Sequence, residues 1–168
     1  DARAPKTDSG EDHPCDPAGE PMAFVFRTMS EQHVGEYSFL KVASGFLETA
    51  MDLENAQTGS SERLGNLFVL NGRTRDNVAK LNAGDLGATV KLKDTHTNNT
   101  LRPRSSSLSL APIAFPEPRY KAAIRATTAG EEDKLSTGLH KLVSEDPALR
   151  VSHDSEMSQV LLGGQGEM

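Results

Sequence analysis

Ala23-Phe24-Val25-Phe26-Arg27-Thr28-Met29, Tyr37-Ser38-Phe39-Leu40-Lys41-Val42-Ala43 and Phe46-Leu47-Glu48-Thr49-Ala50-Met51-Asp52-Leu53 decide the fold class of this chain. Their apolar residues recur mostly at every second position, which is the period of a strand with one face buried and not that of a helix. Between and after them stand Gly35, Ser44-Gly45, Thr58-Gly59, Asn71-Gly72 and Asn82-Ala83-Gly84-Asp85, residues that accept positive φ or bond their own backbone in turns. About six short strands at this spacing predict a closed β-barrel over residues 22–114, because closure removes exposed sheet edges. Phe24, Phe26, Phe39, Phe46 and Phe68 are expected to form its core. They do not read as a base-stacking platform, since aromatic residues make up only 5% of the chain and Trp is missing.

The pattern changes after Pro116. Tyr120 to Thr127 reads as a strand, and Thr128-Ala129-Gly130-Glu131 spells a capping box that opens a helix with an apolar stripe at Leu135, Leu139, Leu142 and Val143. Pro147 marks its end, and two further strands are expected at Leu149–His153 and Gln159–Leu162. The order strand, helix, strand, strand is half of a split β-α-β unit, so residues 115–168 are expected to be a ferredoxin-like segment lacking one helix and one strand. The fold class is therefore mainly β plus α+β. Residues 1–21 carry six acids against Arg3 and Lys6, together with Pro5, Pro14, Pro17 and Pro21, and read as a disordered linker.

With 18 Lys and Arg against 24 Asp and Glu, the net charge of −6 argues against a free-standing nucleic-acid binder held by phosphate neutralisation. A single cysteine, Cys15, excludes an internal disulfide and a thiolate metal cluster. The longest nearly apolar stretch, Leu108 to Phe115, is far shorter than the roughly 20 residues of a membrane span, so no membrane association is expected. A phosphate-cradling Gly-x-x-x-x-Gly-Lys-Ser/Thr loop and an Asn-Lys-x-Asp guanine reader are both missing, and Gly163, Gly164 and Gly166 lack the dinucleotide-binding spacing. No two of the five histidines lie three to five residues apart, as zinc sites on one element require. His140 and the His153-Asp154 pair read as solvated surface, and Cys15 has no neighbour that would make it nucleophilic. No catalytic, cofactor or metal residues are assigned. The basic residues Arg73, Arg75, Lys80, Lys91, Lys93, Arg102 and Arg104 are interrupted only by Asp76, Asp85 and Asp94, and read either as solvated barrel surface or as a patch touching RNA phosphates.

Several runs, taken in order, resemble the second domain and the first half of the third domain of the translation GTPase elongation factor G. They are Val34-Gly35-Glu36-Tyr37-Ser38-Phe39-Leu40-Lys41-Val42-Ala43-Ser44-Gly45, then Glu62-Arg63-Leu64-Gly65, then Ala83-Gly84-Asp85-Leu86-Gly87-Ala88. The most specific is Leu92-Lys93-Asp94-Thr95 with Thr97, Thr100 and Leu101; Phe115-Pro116-Glu117-Pro118, Glu145-Asp146-Pro147, Leu149-Arg150-Val151 and Gly166-Glu167 follow. Ser30-Glu31, Ala148 and Asp154-Ser155-Glu156-Met157-Ser158 depart from the family's usual spelling and point to a divergent paralogue.

The resemblance implies a translation-protein β-barrel (domain II) over 22–114, a partial ferredoxin-like domain III over 115–168, and, in 1–21, a linker from a GTPase domain that precedes this region. It further implies a cytoplasmic protein whose parent binds GTP and magnesium in that absent domain and drives translocation of tRNA and mRNA. This region would dock on small-subunit rRNA and proteins and contact the parent's other domains. Arg73, Arg75, Lys91 and Lys93 are the implied ribosome contacts, and Asp146 and Pro147 the implied switch-facing surface at the fusidic-acid pocket. A ribosomal-protection or peptide-release GTPase, and an autonomous RNA-binding barrel, stand as alternatives.

Overall fold

Strands form where the period-two stretches stand. The computed structural model describes residues 5–31, 35–72 and 74–166. It divides into two units, residues 1–113 and 114–168. The first holds β1 (Met22–Glu31), β2 (Gly35–Ser44), β3 (Phe46–Glu48), β4 (Asp52–Asn55), β5 (Ser61–Arg63), β6 (Leu67–Asn71), β7 (Thr74–Val78), β8 (Lys80–Asn82), β9 (Leu86–Val90) and β10 (Thr100–Arg102). Eight strands pair in the order β5-β4-β10-β1-β2-β9-β6-β7, and β3 with β8 makes a separate ribbon. The stretch read as one strand over Phe46–Leu53 is two, split by a turn in which Ala50 adopts φ 67°.

One aliphatic core joins both sheets: Ala23, Val25, Leu40, Val42, Leu47, Leu53, Leu64, Leu67, Leu81 and Leu101 are all buried together. The phenylalanines expected there are elsewhere; Phe24, Phe26, Phe39, Phe46 and Phe68 are all only partly buried. In β1 and β2 the reason is alternation, since Phe24 stands between the buried Ala23 and Val25 and Phe39 between the buried Ser38 and Leu40, while a register shift in the β1–β2 ladder between Val25 and Arg27 leaves Phe26 as the extra residue. On one side of it Ala23 and Val25 face inward opposite Val42 and Leu40; on the other, Thr28 faces inward opposite Ser38, and Arg27 and Met29 turn outward opposite Phe39 and Tyr37. The interior at that end is therefore polar, with Thr28, Ser38 and Thr89 no more than 1% exposed. The aromatic rings gather on the opposite face of the sheet, where Tyr37 lies 6.3 Å from Phe68 and 6.4 Å from Phe39.

Residues 5–21, expected as a disordered linker, lie along the barrel. Thr7 bridges Leu110, Asp8 N donates to Ser109 O, and the His13 ring lies 3.0 Å from Ser44 Oγ. Gly45 N donates to Asp16 O at 2.8 Å. Gly45 has φ +61°, and a Cβ there would stand 2.6 Å from Gly19 O, so only glycine lets this segment cross the end of β2.

The second unit holds β11 (Tyr120–Ile124), α1 (Glu132–Glu145), β12 (Arg150–Asp154) and β13 (Gln159–Gly164), with sheet order β11-β13-β12. This is the expected strand, helix, strand, strand order. The capping box does not form: Glu131 precedes α1 without a side-chain cap, and its carboxylate instead takes a hydrogen bond from Lys134 Nζ at 2.7 Å. Of the apolar stripe only Leu139 is buried, and Leu142 is 48% exposed.

Two outcomes follow from this distribution of burial. Leu40→Ala is expected to destabilise the chain by about 2–5 kcal/mol, and Phe39→Ala by clearly less, in urea denaturation; equal losses would contradict the inward and outward assignment. Amides of residues 120–164 are expected to exchange faster than those of β1 and β2, and uniform protection across both units would be inconsistent with the sparse burial of the second.

Candidate functional site

Of the basic residues singled out in the sequence, Arg75, Lys80, Arg102 and Arg104 are engaged by acids. Arg75 donates from Nη2 to both carboxylate oxygens of Glu31, and its guanidinium carbon sits 5.0 Å from the centroid of the Tyr37 ring. The bond to the Glu31 carboxylate holds the Arg75 guanidinium above its ordinary value, against a smaller opposing effect of burial. A cavity of about 430 Å³ opens beside it, lined by Met29, Phe39 and Leu70 among others. Lys80 lies 3.9 Å from Glu48 and 3.5 Å from the centre of the Phe46 ring. Arg102 and Arg104 share Glu54 at 3.6 and 3.7 Å. Arg73 lies outside the described residues. Lys91 and Lys93 are both exposed, and make no ion pair among the described residues.

Those two lysines belong to a connection of defined geometry between β9 and β10. Leu92 packs on the aliphatic core. Lys91 is held in the left-handed region, φ 65°, and its N–H donates to Glu36 O at 3.3 Å. Glu62, at the centre of β5 and only 1% exposed, receives Lys93 N at 2.9 Å, Asp94 N at 2.7 Å and Thr95 Oγ1 at 2.9 Å. Asn55, fully buried at the end of β4, donates from Nδ2 to Asp94 O at 2.8 Å, Thr95 Oγ1 at 3.2 Å and Asn99 Oδ1 at 3.0 Å. Burial strengthens such bonds and makes any unsatisfied partner costly, so the connection is fixed from below by polar groups. Asn55 was not singled out from the sequence, and Glu62 entered only within the family-like run Glu62-Arg63-Leu64-Gly65, with no site role assigned. A lone acid in a three-residue strand carries no local mark of burial, and its partners lie some thirty residues away.

Asp146 and Pro147 stand where α1 ends. Asp146 N donates to Leu142 O at 2.9 Å, and its Oδ1 accepts Ala148 N at 2.9 Å, which together close the helix. Asp146 also lines a cavity of about 550 Å³ with Tyr120, Ala148, Leu149, Leu162 and Gln165; Pro147 is not among its lining residues. His140 and His153 are both exposed, and both line a groove of about 750 Å³ floored by Leu135, Leu139 and Val160. Among the described residues no group of three His, Cys, Asp or Glu could hold a metal ion, and no helix is long and apolar enough to cross a membrane.

Comparison with known proteins converges on one class. Residues 20–103 match the model of elongation factor G domain 2, and residues 115–168 match that of elongation factor G domain III. Two such domains in this order define a translation elongation factor. The chain belongs to the elongation factor G family. Among solved structures it is similar to a protein from Thermus thermophilus, with a TM-score of 0.76 and 27% identity over 89% of this chain; the match spans 23% of the Thermus chain.

The left-handed backbone of Lys91 has a measurable consequence. Lys91→Gly is expected to leave the chain as stable or up to about 1 kcal/mol more stable, whereas Lys91→Val destabilises it by about 1 kcal/mol or more, in urea titrations; the reverse order would mean that φ is negative there in solution.

Proposed function

We propose that this chain is the central docking and relay region of an elongation factor G-type GTPase that moves tRNA and mRNA through the ribosome in the cytoplasm. Its first unit rests on small-subunit rRNA through Lys91 and Lys93, the two cations of the basic run that no acid engages among the described residues. Its second unit, through the surface at Asp146 and Pro147, faces the switch regions of the parent's GTPase domain and follows their nucleotide state. GTP and magnesium are bound by that domain, and the residues described here do no chemistry on them. The observation that carries the reading is the succession of the two elongation factor G domain matches along one chain. Lys91 and Lys93 stand on a fixed connection, so little chain entropy is lost when they meet phosphate oxygens.

The test is a titration of the chain against small ribosomal subunits at two salt concentrations, beside a Lys91→Glu/Lys93→Glu variant. Salt-sensitive binding that the variant loses is the expected result. Binding that the variant retains in full would remove the two lysines from the interface.

A further inference from the structure

We infer that Glu62 is the residue that positions the Lys91–Thr95 connection for contact with RNA phosphate, an inference that rests on the docking role proposed above. Glu62 itself barely reaches solvent: 1% of it is exposed, and both oxygens are directed at the chain. Its position in β5 is inward, opposite Leu53 of β4, in an edge strand whose other two residues, Ser61 and Arg63, are exposed. An inward carboxylate at an edge strand is a poor choice for packing, since an aliphatic side chain there would extend the core next to Leu53 and Leu64. It is a good choice for gripping a backbone. The N–H groups of Lys93 and Asp94 and the hydroxyl of Thr95 converge on it, as donors converge on a bound anion.

The grip is relayed rather than isolated. Thr95 Oγ1 donates to Glu62 Oε1 and accepts from Asn55 Nδ2, and Asn55 also holds Asn99, whose Oδ1 receives His96 N at 2.7 Å. The network thus fixes both ends of the 93–99 segment against β4 and β5 through buried side chains and backbone groups. Lys91 and Lys93 contribute charge at the surface while Glu62 contributes only geometry, so the two roles separate experimentally. Removing a lysine lowers both the affinity for RNA and the steepness of its salt dependence, by about one unit of slope per phosphate contact. Removing the grip leaves every surface charge in place and lowers the affinity alone.

Glu62→Gln is nearly the same size and presents an amide N–H₂ to backbone donors that need an acceptor. The variant is expected to exchange the Lys93 and Asp94 amides at least about tenfold faster while β1 and β2 keep their protection. It is further expected to bind small ribosomal subunits about three- to tenfold more weakly at each salt concentration, with the salt slope of the unaltered chain. Thr95→Val, which removes only the hydroxyl donor, gives the same pair of readouts should Glu62→Gln fail to fold, with the affinity loss at the lower end. If the lysine variants bind weakly while folded Glu62→Gln binds like the unaltered chain, the positioning role is overturned and the docking role stands. If the unaltered chain shows no salt-sensitive binding, the docking role fails and the inference fails with it. Slow exchange at Lys93 and Asp94 in Glu62→Gln overturns the grip itself, whatever the ribosome titration gives.

Discussion

The register of the β1–β2 ladder is the constraint on which the first unit depends. In a strand the side chains alternate between faces, so a slip of one residue exchanges core and surface along its whole length. Here the exchange is built in. The irregularity between Val25 and Arg27 puts Ala23 and Val25 inside before it and Thr28 inside after it. Neighbouring strands follow the same division: Leu40 pairs across to Gly87 and Ser38 to Thr89, which in turn opposes Leu67. At Gly87 a Cβ would meet Leu81 Cδ1 at 2.4 Å, so glycine there leaves the space that Leu81 fills. One face thus builds an aliphatic interior with a polar end, and the other carries the row Arg27, Phe39, Ala88, Phe68.

The polar end and the Glu62–Asn55 network solve a common problem. A small barrel must turn its chain many times, and each turn brings backbone N–H and C=O groups away from ladder partners. Asn55 and Glu62 satisfy those of the connection after β9 from within, using side chains whose own polar atoms would otherwise be stranded. Thr97 Oγ1 does the same for Thr28 N at 3.1 Å. The second unit has fewer such ties, with burial confined among its described residues to Leu139 and Gly163.

How far the candidate site was legible in the sequence differs residue by residue. Lys91 and Lys93 flank a leucine, and that alternation separates a residue anchored on the core from two cations that no described acid engages. Arg75 looks equally available in the sequence, yet Glu31, which engages it, lies forty-four positions away. Glu54 takes up Arg102 and Arg104 in the same manner. Local charge density therefore overstates a basic patch wherever strands from distant parts of the chain meet, because ion pairing is a property of the sheet order and not of the run. Glu62 shows the converse, a residue with no local mark of burial in the sequence that becomes the most buried acid among the described residues.

The sequence by itself determined the succession of elements and the family, since period-two stretches, turn residues and ordered motifs are local signals that survive without knowledge of packing. It determined equally the strand-helix-strand-strand order after Pro116, although the capping spelling before α1 found no use because Glu131 bonds Lys134 instead. Only the tertiary structure decided which face of each strand is the interior. In Ala23-Phe24-Val25-Phe26 every residue is apolar, so periodicity offers two equivalent faces, and hydrophobicity alone favours placing the larger rings inside. The inward positions hold the smaller side chains, and the phenylalanines Phe24, Phe39 and Phe68 found their burial outside that core, against Tyr37, Ala88 and Val90 or against Met22, Ala43 and Leu110.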